Sequence, residues 1–239
     1  MPHRSMNLKE AAAFLHLPES DVRALAMHGE LPCEHQGERL NFRRGELKVW
    51  SSQRILGLQG KHLHDYHSRG VLKPHDLSDH SAILSELTRP EFMEPIMPAK
   101  TRASVLRQIV RVAERTGFLY DPADLVAELA EREELCSTGV EGGVALLHPR
   151  HHDPYMVEDS FLCVGRSVQP VPFGASDGRR TDVFFMICCQ NDRIHLHVLS
   201  RICLLCHSTG LAQALREADT AEEMHAAVVK CEKDALARI

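Results

Sequence analysis

The folding possibilities of this chain are narrowed first by three short, wholly apolar runs, at residues 144–147, 161–164 and 183–188. Each run is shorter than an ordinary helix, and a continuous apolar run of this length is typical of a strand that is buried on both faces. Segments with helical spacing alternate with these runs, at residues 101–116, 121–133, 195–206 and 220–238. The alternation predicts an α/β domain over residues 80–239, with a sheet that is flanked by helices.

The first 54 residues follow a different pattern and predict a small, mostly helical domain. Helices are expected over residues 8–15, 21–28 and 45–53. Ser20 is expected to cap the second helix, and Gly29 to end it. Between the second and third helices, residues 31–42 form two short strands around the turn at Gln36 and Gly37.

This segment resembles the excisionase/MerR-like winged helix-turn-helix family, on the residues LKEAAAFLHLPESDVRALAMHGELP, the hairpin and FRRGELKVW. The resemblance implies that the second helix enters the major groove of DNA and that the hairpin contacts phosphates. The DNA-contacting candidates it gives are Ser20, Arg23, His28, Arg39, Arg43 and Arg44. Residues 1–54 carry 8 basic and 7 acidic side chains, a net charge of +1. Because phosphate contacts supply most non-specific affinity, a helix-turn-helix used for protein contact or dimerisation is the alternative.

Residues 55–79 show no sustained period and are expected to connect a domain at residues 1–54 with one at residues 80–239. Four histidines lie in this connector, at positions 62, 64, 67 and 75. Imidazole is a common metal ligand, but this spacing does not match a structural zinc site and no cysteine lies nearby. We therefore expect solvated side chains there, with a metal site as the alternative.

A histidine stands at the end of the first apolar strand. A predicted helix closes in a Ser-Thr-Gly turn at residues 137–139, the strand follows at residues 144–147, and His148 comes next. The ends of strands are where α/β domains commonly hold their sites. A tight loop at residues 173–178 precedes the next strand, and His195 lies at the start of the apolar helix after it.

Residues 80–239 look like the IIA domain of the fructose/mannitol and nitrogen-regulatory branch of the bacterial phosphotransferase system. Four motifs carry the resemblance, in the family's order: Arg-Glu-x-Leu-x-Ser-Thr-Gly, Gly-Val-Ala-x-x-His, Pro-Phe-Gly-Ala-x-Asp-Gly and His-x-x-Val-Leu-x-Arg. The resemblance implies a mixed sheet flanked by helices, and a histidine that accepts a phosphoryl group from the carrier HPr. That histidine is His148 here, Arg132 matches the anion-stabilising arginine, and His195 matches the second active-site histidine. No metal and no organic cofactor is expected.

Elementary chemistry agrees with these roles. A neutral imidazole is a competent nucleophile near pH 7, and arginine offers a permanently charged planar fork that suits phosphate. A histidine at a helix N-terminus adds a hydrogen bond beside the positive end of the helix dipole.

The sequence predicts a cytoplasmic regulator in which the IIA-like domain senses phosphotransferase status and the helix-turn-helix domain binds DNA. One alternative is a IIA-like binding module that accepts no phosphate, because Leu147 stands where family members usually carry proline before the active histidine. Another is a transport component that passes phosphate to a IIB domain. A zinc hydrolase built from His148, His151, His152 and His195 is a further alternative, although these residues lack the spacing of known zinc helices.

Composition excludes other classes. No apolar run approaches the roughly 18 residues of a membrane span, and the N-terminus lacks the pattern of a secretory signal. The net charge of −5 gives no large electrostatic footprint for nucleic acid over the whole chain. Cys203, Cys206 and His207 spell the c-type haem motif, but we expect ordinary core cysteines on a helix there.

Overall fold

The computed structural model describes residues 5–37, 39–58, 62, 63, 66, 83–151 and 156–237. The chain divides into two compact units, residues 1–74 and 75–239, and each is described by itself.

The N-terminal unit contains the order of elements that the sequence predicts: helix, helix, hairpin, helix. The strands are β1 (Ser5–Met6), β2 (Glu34–Gln36) and β3 (Arg39–Arg43), and the helices are α1 (Leu8–Leu15), α2 (Glu19–Met27) and α3 (Arg44–Gly57). β3 lies between β1 and β2 and is antiparallel to both. Apolar side chains from all three helices and β3 form one core, which includes Leu15, Val22, Phe42 and Leu47.

Two local expectations for this unit are corrected. α2 begins at Glu19 with Pro18 at the N-cap position, so Ser20 is not the cap. It lies in the first turn, where its hydroxyl donates to Asp21 Oδ1 at 3.1 Å. α3 continues to Gly57, past the end predicted for it and past the predicted domain end at residue 54.

The second unit is built on a five-stranded mixed sheet. Its strands are β4 (Met93–Met97), β5 (Gly139–Val140), β6 (Val144–Leu147), β7 (Phe161–Val171) and β8 (Thr181–Cys188). Their order is β4-β7-β8-β6-β5. β4 runs parallel to β7 and β6 parallel to β8, whereas the β7–β8 and β5–β6 pairs are antiparallel.

Helices cover both faces of this sheet, as the apolar runs predict. The helices are α4 (Ile83–Leu87), α5 (Arg102–Glu114), α6 (Pro122–Leu135), α7 (Asp192–Ser208), α8 (Leu211–Glu217) and α9 (Ala221–Leu236), with a 3-10 turn at Pro90–Phe92. Phe161, Cys163 and Phe184 pack in one core with α5 and α6. Their strand neighbours Leu162 and Phe185 point to the opposite face and are also fully buried. α4 contacts β7 on that side, α9 contacts β4, and α7 and α8 contact β8.

Among the described residues, no single helix is both long and apolar enough to cross a membrane. Within the same described residues, the helices Ile194–Ser208 and Leu211–Glu217 together have the length and apolar composition of a membrane span. The two helices are bent by 80° relative to each other.

Candidate active site

The parallel pairing of β6 and β8 brings two histidines to one edge of the sheet. His148 follows the last residue of β6, and α7 begins four residues after β8. Because parallel strands end at the same edge, the residue after β6 and the first turn of α7 lie together. The ring centroids of His148 and His195 are 4.8 Å apart, with an interplanar angle of 51°.

Arg132 reaches the same place from the last turn of α6. Its Nε donates to His148 Nε2 at 3.0 Å, and its Nη1 donates to the carbonyl oxygen of Cys136 at 3.0 Å and contacts Cys136 Sγ at 3.4 Å. Arg132 and His148 are each 1% exposed, and His195 is fully buried. The three residues that the resemblance names therefore form one buried cluster.

A backbone carbonyl selects the tautomer of His148. Its Nδ1 lies 2.9 Å from the carbonyl oxygen of Leu146. A carbonyl oxygen only accepts, so Nδ1 carries the hydrogen and donates it. In the neutral ring the lone pair is then on Nε2, the atom that faces Arg132. His148 thus presents its lone-pair nitrogen to a permanently charged guanidinium.

The guanidinium of Arg132 retains unused hydrogen-bonding capacity. An arginine side chain has five N–H donors. Nε uses one on His148, and Nη1 has two for the oxygen and sulfur of Cys136. Nη2 is buried and has no hydrogen-bond partner among the residues that the structure describes. Leaving a buried donor of a cation without a partner is costly, and an anion bound there would satisfy it.

The first turn of α7 supplies further positive potential. Asn191 caps the helix, since its side chain accepts from the backbone N–H of Ile194 at 2.9 Å. His195 lies in this first turn, and its own backbone N–H donates to Asn191 O. The positive end of the helix dipole is therefore adjacent to the imidazole pair.

The turn after α6 is held by residues whose roles the sequence did not indicate. Glu133 is buried and accepts from the backbone N–H of Thr138 at 3.1 Å and from its hydroxyl. Burial is the main cause that raises the pKa of Glu133, and the hydrogen bonds from Thr138 oppose it. The signal available in the sequence was the Arg-Glu-x-Leu-x-Ser-Thr-Gly motif, in which the glutamate and threonine are five residues apart.

The loop at residues 173–178 is tied to this turn. Ser137 Oγ donates to the carbonyl oxygen of Phe173 at 2.5 Å, and Arg102 Nη2 donates to the same oxygen at 2.9 Å. Gly174 has a φ of +87°, and a Cβ there would lie 3.2 Å from Ser137 Cβ. The backbone conformation therefore favours glycine at this motif position, and a Cβ would also make a tight contact with the turn.

Asp177 ties the same loop to the turn before β6. Its carboxylate accepts from the backbone N–H of Gly142 at 3.1 Å and of Arg179 at 3.0 Å. These backbone hydrogen bonds lower the pKa of Asp177. The third motif therefore stabilises the turn that leads into β6, the strand that ends just before His148.

A second cluster lies beside the site, three residues beyond His148. His151 Nδ1 is 3.0 Å from Glu128 Oε1, and Arg150 Nη1 is 3.4 Å from Glu131 Oε2. Among the described residues, the one group whose potential metal-ligand atoms lie within 4.8 Å of one another is Glu128, Glu131 and His151. His148 and His195 do not belong to it, which weighs against the zinc hydrolase. His152, together with His64, His67 and His75 of the connector, lies outside the described residues.

Cys203 and Cys206, the cysteines of the c-type haem motif, lie inside α7. Cys203 is buried, and burial raises the pKa of both thiols, to about 12 for Cys206. Burial of this kind is typical of core cysteines and leaves them poor nucleophiles.

The six candidates for DNA contact are all exposed on the N-terminal unit: Ser20 and Arg23 on α2, His28 at its end, Arg39 and Arg43 on β3, and Arg44 at the start of α3. Arg43 is already ion-paired with Glu34 and lies 3.9 Å from Glu46. These carboxylates reduce the charge that Arg43 can offer to a phosphate.

Residues 83–231, which make up more than half of the chain, match the family described as "Phosphoenolpyruvate-dependent sugar phosphotransferase system, EIIA 2". The chain belongs to this family. The IIA-type domain contains Arg132, His148 and His195, and residues 1–82 lie outside the match.

Individual proteins show the same similarity in sequence and in structure. Over 161 residues this chain is 30% identical to the nitrogen regulatory protein of Escherichia coli K12, covering 65% of this chain and 94% of that protein. The crystal structure of nitrogen regulatory protein IIA-Ntr from Neisseria meningitidis superposes with a TM-score of 0.55 and 26% identity, covering 61% of this chain and 99% of that chain.

A solution structure of Escherichia coli enzyme IIA-mannitol in complex with phosphorylated enzyme IIB-mannitol shares the fold. Its TM-score is 0.52 at 15% identity, covering 60% of this chain and 97% of that chain. The expected mixed α/β fold of the IIA type is therefore confirmed.

Proposed function

We propose that the IIA-type domain of this chain accepts a phosphoryl group on His148 from an HPr-type phosphocarrier, and that the N-terminal unit binds DNA under control of that modification. The observation that carries the proposal is the buried guanidinium of Arg132. It contacts the lone-pair nitrogen of His148 and keeps Nη2 without a partner among the described residues.

The chemistry is a direct displacement at phosphorus. The lone pair of His148 Nε2 forms the new N–P bond while the N–P bond to the carrier's imidazole breaks, and that electron pair returns to the carrier's nitrogen. The proton on His148 Nδ1 stays in place and remains bonded to the Leu146 carbonyl. The reaction needs no metal and no organic cofactor, because positioning and neutralisation of charge supply the catalysis.

Arg132 and His195 stabilise the charge that spreads over the phosphoryl oxygens. Nε and Nη2 form one edge of the guanidinium, which matches two oxygens in a bidentate arrangement. Arg132 must first release Nε2, since its Nε–H is bonded to the lone pair that attacks. His195 and the N-terminus of α7 favour negative charge at the same place.

The DNA-binding half rests on the resemblance of the N-terminal segment and on the exposure of its basic candidates. Arg23, Arg39 and Arg44 are exposed, while Arg43 is engaged by Glu34. A new phosphohistidine adds close to two negative charges, which alters how the chain interacts with an acidic partner.

Phosphoryl transfer is the test. The chain is incubated with enzyme I, HPr and phosphoenolpyruvate that carries labelled phosphate. We expect acid-labile label on the wild type, none on His148→Ala, and slower labelling of Arg132→Lys and His195→Ala. His207→Ala is the matched control, since His207 is exposed at the opposite end of α7 and should label normally.

Two outcomes would contradict the proposal. One is label that persists in His148→Ala. The other is an unlabelled wild type while a known IIA domain labels in parallel, and this result would favour a binding module. A transport component is the second candidate, because one structural neighbour was solved in complex with phosphorylated IIB. Transfer of label onward to a IIB domain would support it.

A further inference from the structure

The Arg132 side chain is held by one residue that no motif assigns. Cys136 follows the last residue of α6 and is the C-cap of that helix, in an extended conformation with φ −168° and ψ 153°. Arg132 lies four residues earlier, so its guanidinium reaches the end of its own helix. There Nη1 donates to Cys136 O at 3.0 Å and to Cys136 Sγ at 3.4 Å.

The two contacts match the donors of Nη1. This nitrogen carries two hydrogens, and Cys136 supplies two acceptors, one from the main chain and one from the side chain. Fixing Nη1 at this end also fixes the opposite edge, Nε and Nη2, because the guanidinium is planar and rigid. That edge is the one that contacts His148 Nε2 and has the unpartnered Nη2.

We propose that Cys136 is a positioning residue for phosphoryl transfer: its sulfur orients Arg132 so that Nε and Nη2 face the phosphoryl group on His148. The inference rests on the proposed function of His148. Cys136 acts through Arg132, to which it is hydrogen-bonded.

Cys136→Ala separates the sulfur from the carbonyl, since alanine keeps the backbone acceptor. In single-turnover transfer from phosphorylated HPr, we expect the rate constant to fall about 3- to 10-fold, the range of one hydrogen bond. Cys136→Ser supplies an oxygen acceptor at nearly the same place and should restore most of the rate. Cys231→Ala is the matched control, because Cys231 is a partly exposed cysteine on α9.

A double-mutant cycle shows whether the effect passes through Arg132. In an Arg132→Lys background, which lacks the planar fork, Cys136→Ala should cause no further loss of rate. Equal losses in both backgrounds would overturn the proposal, as would a wild-type rate for Cys136→Ala. Far-UV circular dichroism and urea unfolding establish that each variant is folded.

A second readout does not depend on transfer. In ¹⁵N NMR of the imidazole nitrogens, the Nε2 resonance of His148 reports its hydrogen bond from Arg132. We expect it to shift in Cys136→Ala, to return in Cys136→Ser and to stay unchanged in Cys231→Ala. If the wild type accepts no phosphate but this pattern holds, the proposed function fails and the positioning by Cys136 stands. An unmoved resonance in Cys136→Ala overturns the positioning.

Discussion

Arg132 and Glu133 are adjacent charged residues that are both buried at the end of α6. Their side chains have separate partners: Arg132 contacts His148, and Glu133 contacts Thr138 in the turn that follows. One sequence motif therefore contains a residue that contacts His148 and a residue that holds the turn in place.

Glu133→Gln should alter the dependence of stability on pH. Burial raises the pKa of this carboxyl, so the folded chain binds the proton more tightly than the unfolded chain does. The unfolding free energy contributed by Glu133 therefore falls as pH rises from the unfolded value, about 4.3, through the raised folded value. Glutamine keeps an oxygen acceptor for the Thr138 N–H and does not titrate.

Urea unfolding of both proteins from about pH 4 to about pH 8 measures this effect. The wild type should lose stability relative to Glu133→Gln as pH rises. Glu134→Gln serves as the control, because Glu134 is the next residue and is exposed. A difference between wild type and Glu133→Gln that stays constant with pH would refute the assignment.

At the residue scale, Arg132, His148 and His195 can be singled out together only through a family resemblance. Periodicity alone placed His148 at a strand end and His195 near a helix start. It contained nothing about the hydrogen bonds from Arg132 to Cys136 or from Thr138 to Glu133, since these depend on how the chain turns after α6. Tertiary geometry of this kind has no local signature.

At the scale of elements, α7 is joined to two other helices by one buried carboxylate. Glu232 of α9 lies 3.2 Å from Arg201 Nη1 of α7. It also accepts from the backbone N–H groups of Leu84 and Ser85 of α4, each at 2.9 Å, and from the Ser85 hydroxyl at 2.7 Å. Arg201 ends the fourth motif, so the helix that begins near His195 is anchored six residues further on.

Glu232→Ala should destabilise the chain by about 3–5 kcal/mol, because it leaves the guanidinium of Arg201 in the interior without this carboxylate. Glu94→Ala removes a pair that is much more exposed, with Arg115 at 3.3 Å, and should cost less than about 1 kcal/mol. Urea unfolding of the two variants beside the wild type provides the comparison. Equal losses would show that burial does not set the value of the Arg201–Glu232 pair.

The elements predicted best are those with a strong amphipathic period or a continuous apolar run. The amphipathic α5 and the apolar strands β6 and β8 occur within two residues of expectation. β4 was not predicted, because Pro95 lies within it, and a proline is tolerated there since β4 is an edge strand. The short α4, α8 and β5 were missed because packing, rather than periodicity, determines segments of that length.

At the scale of the whole molecule, the net charge of −5 gives no large electrostatic attraction to a nucleic acid, which limits the DNA affinity that the proposed function can expect. We expect weak binding to duplex DNA that falls steeply with salt, with a log–log slope of about −0.9 for each phosphate contacted. Arg39→Ala with Arg44→Ala should flatten this slope by up to about two contacts. Arg107→Ala with Arg111→Ala, which replaces two exposed arginines of α5, should not.

Fluorescence anisotropy of a labelled duplex, at about 0.05 and about 0.2 M salt, gives the affinity for DNA and its dependence on salt. The same titration with phosphorylated chain should give a different affinity at fixed salt. Identical affinities for the two forms would separate the DNA-binding half from the phosphoryl-accepting half.

The bond from His148 Nδ1 to the Leu146 carbonyl has an implication for substitutions in the strand that precedes the histidine. The acceptor belongs to the main chain, so no exchange of the side chain at position 146 or 147 can delete it. The tautomer of His148 therefore does not depend on which side chains precede it in the strand. With Leu147 before it, His148 therefore still has its lone pair on Nε2.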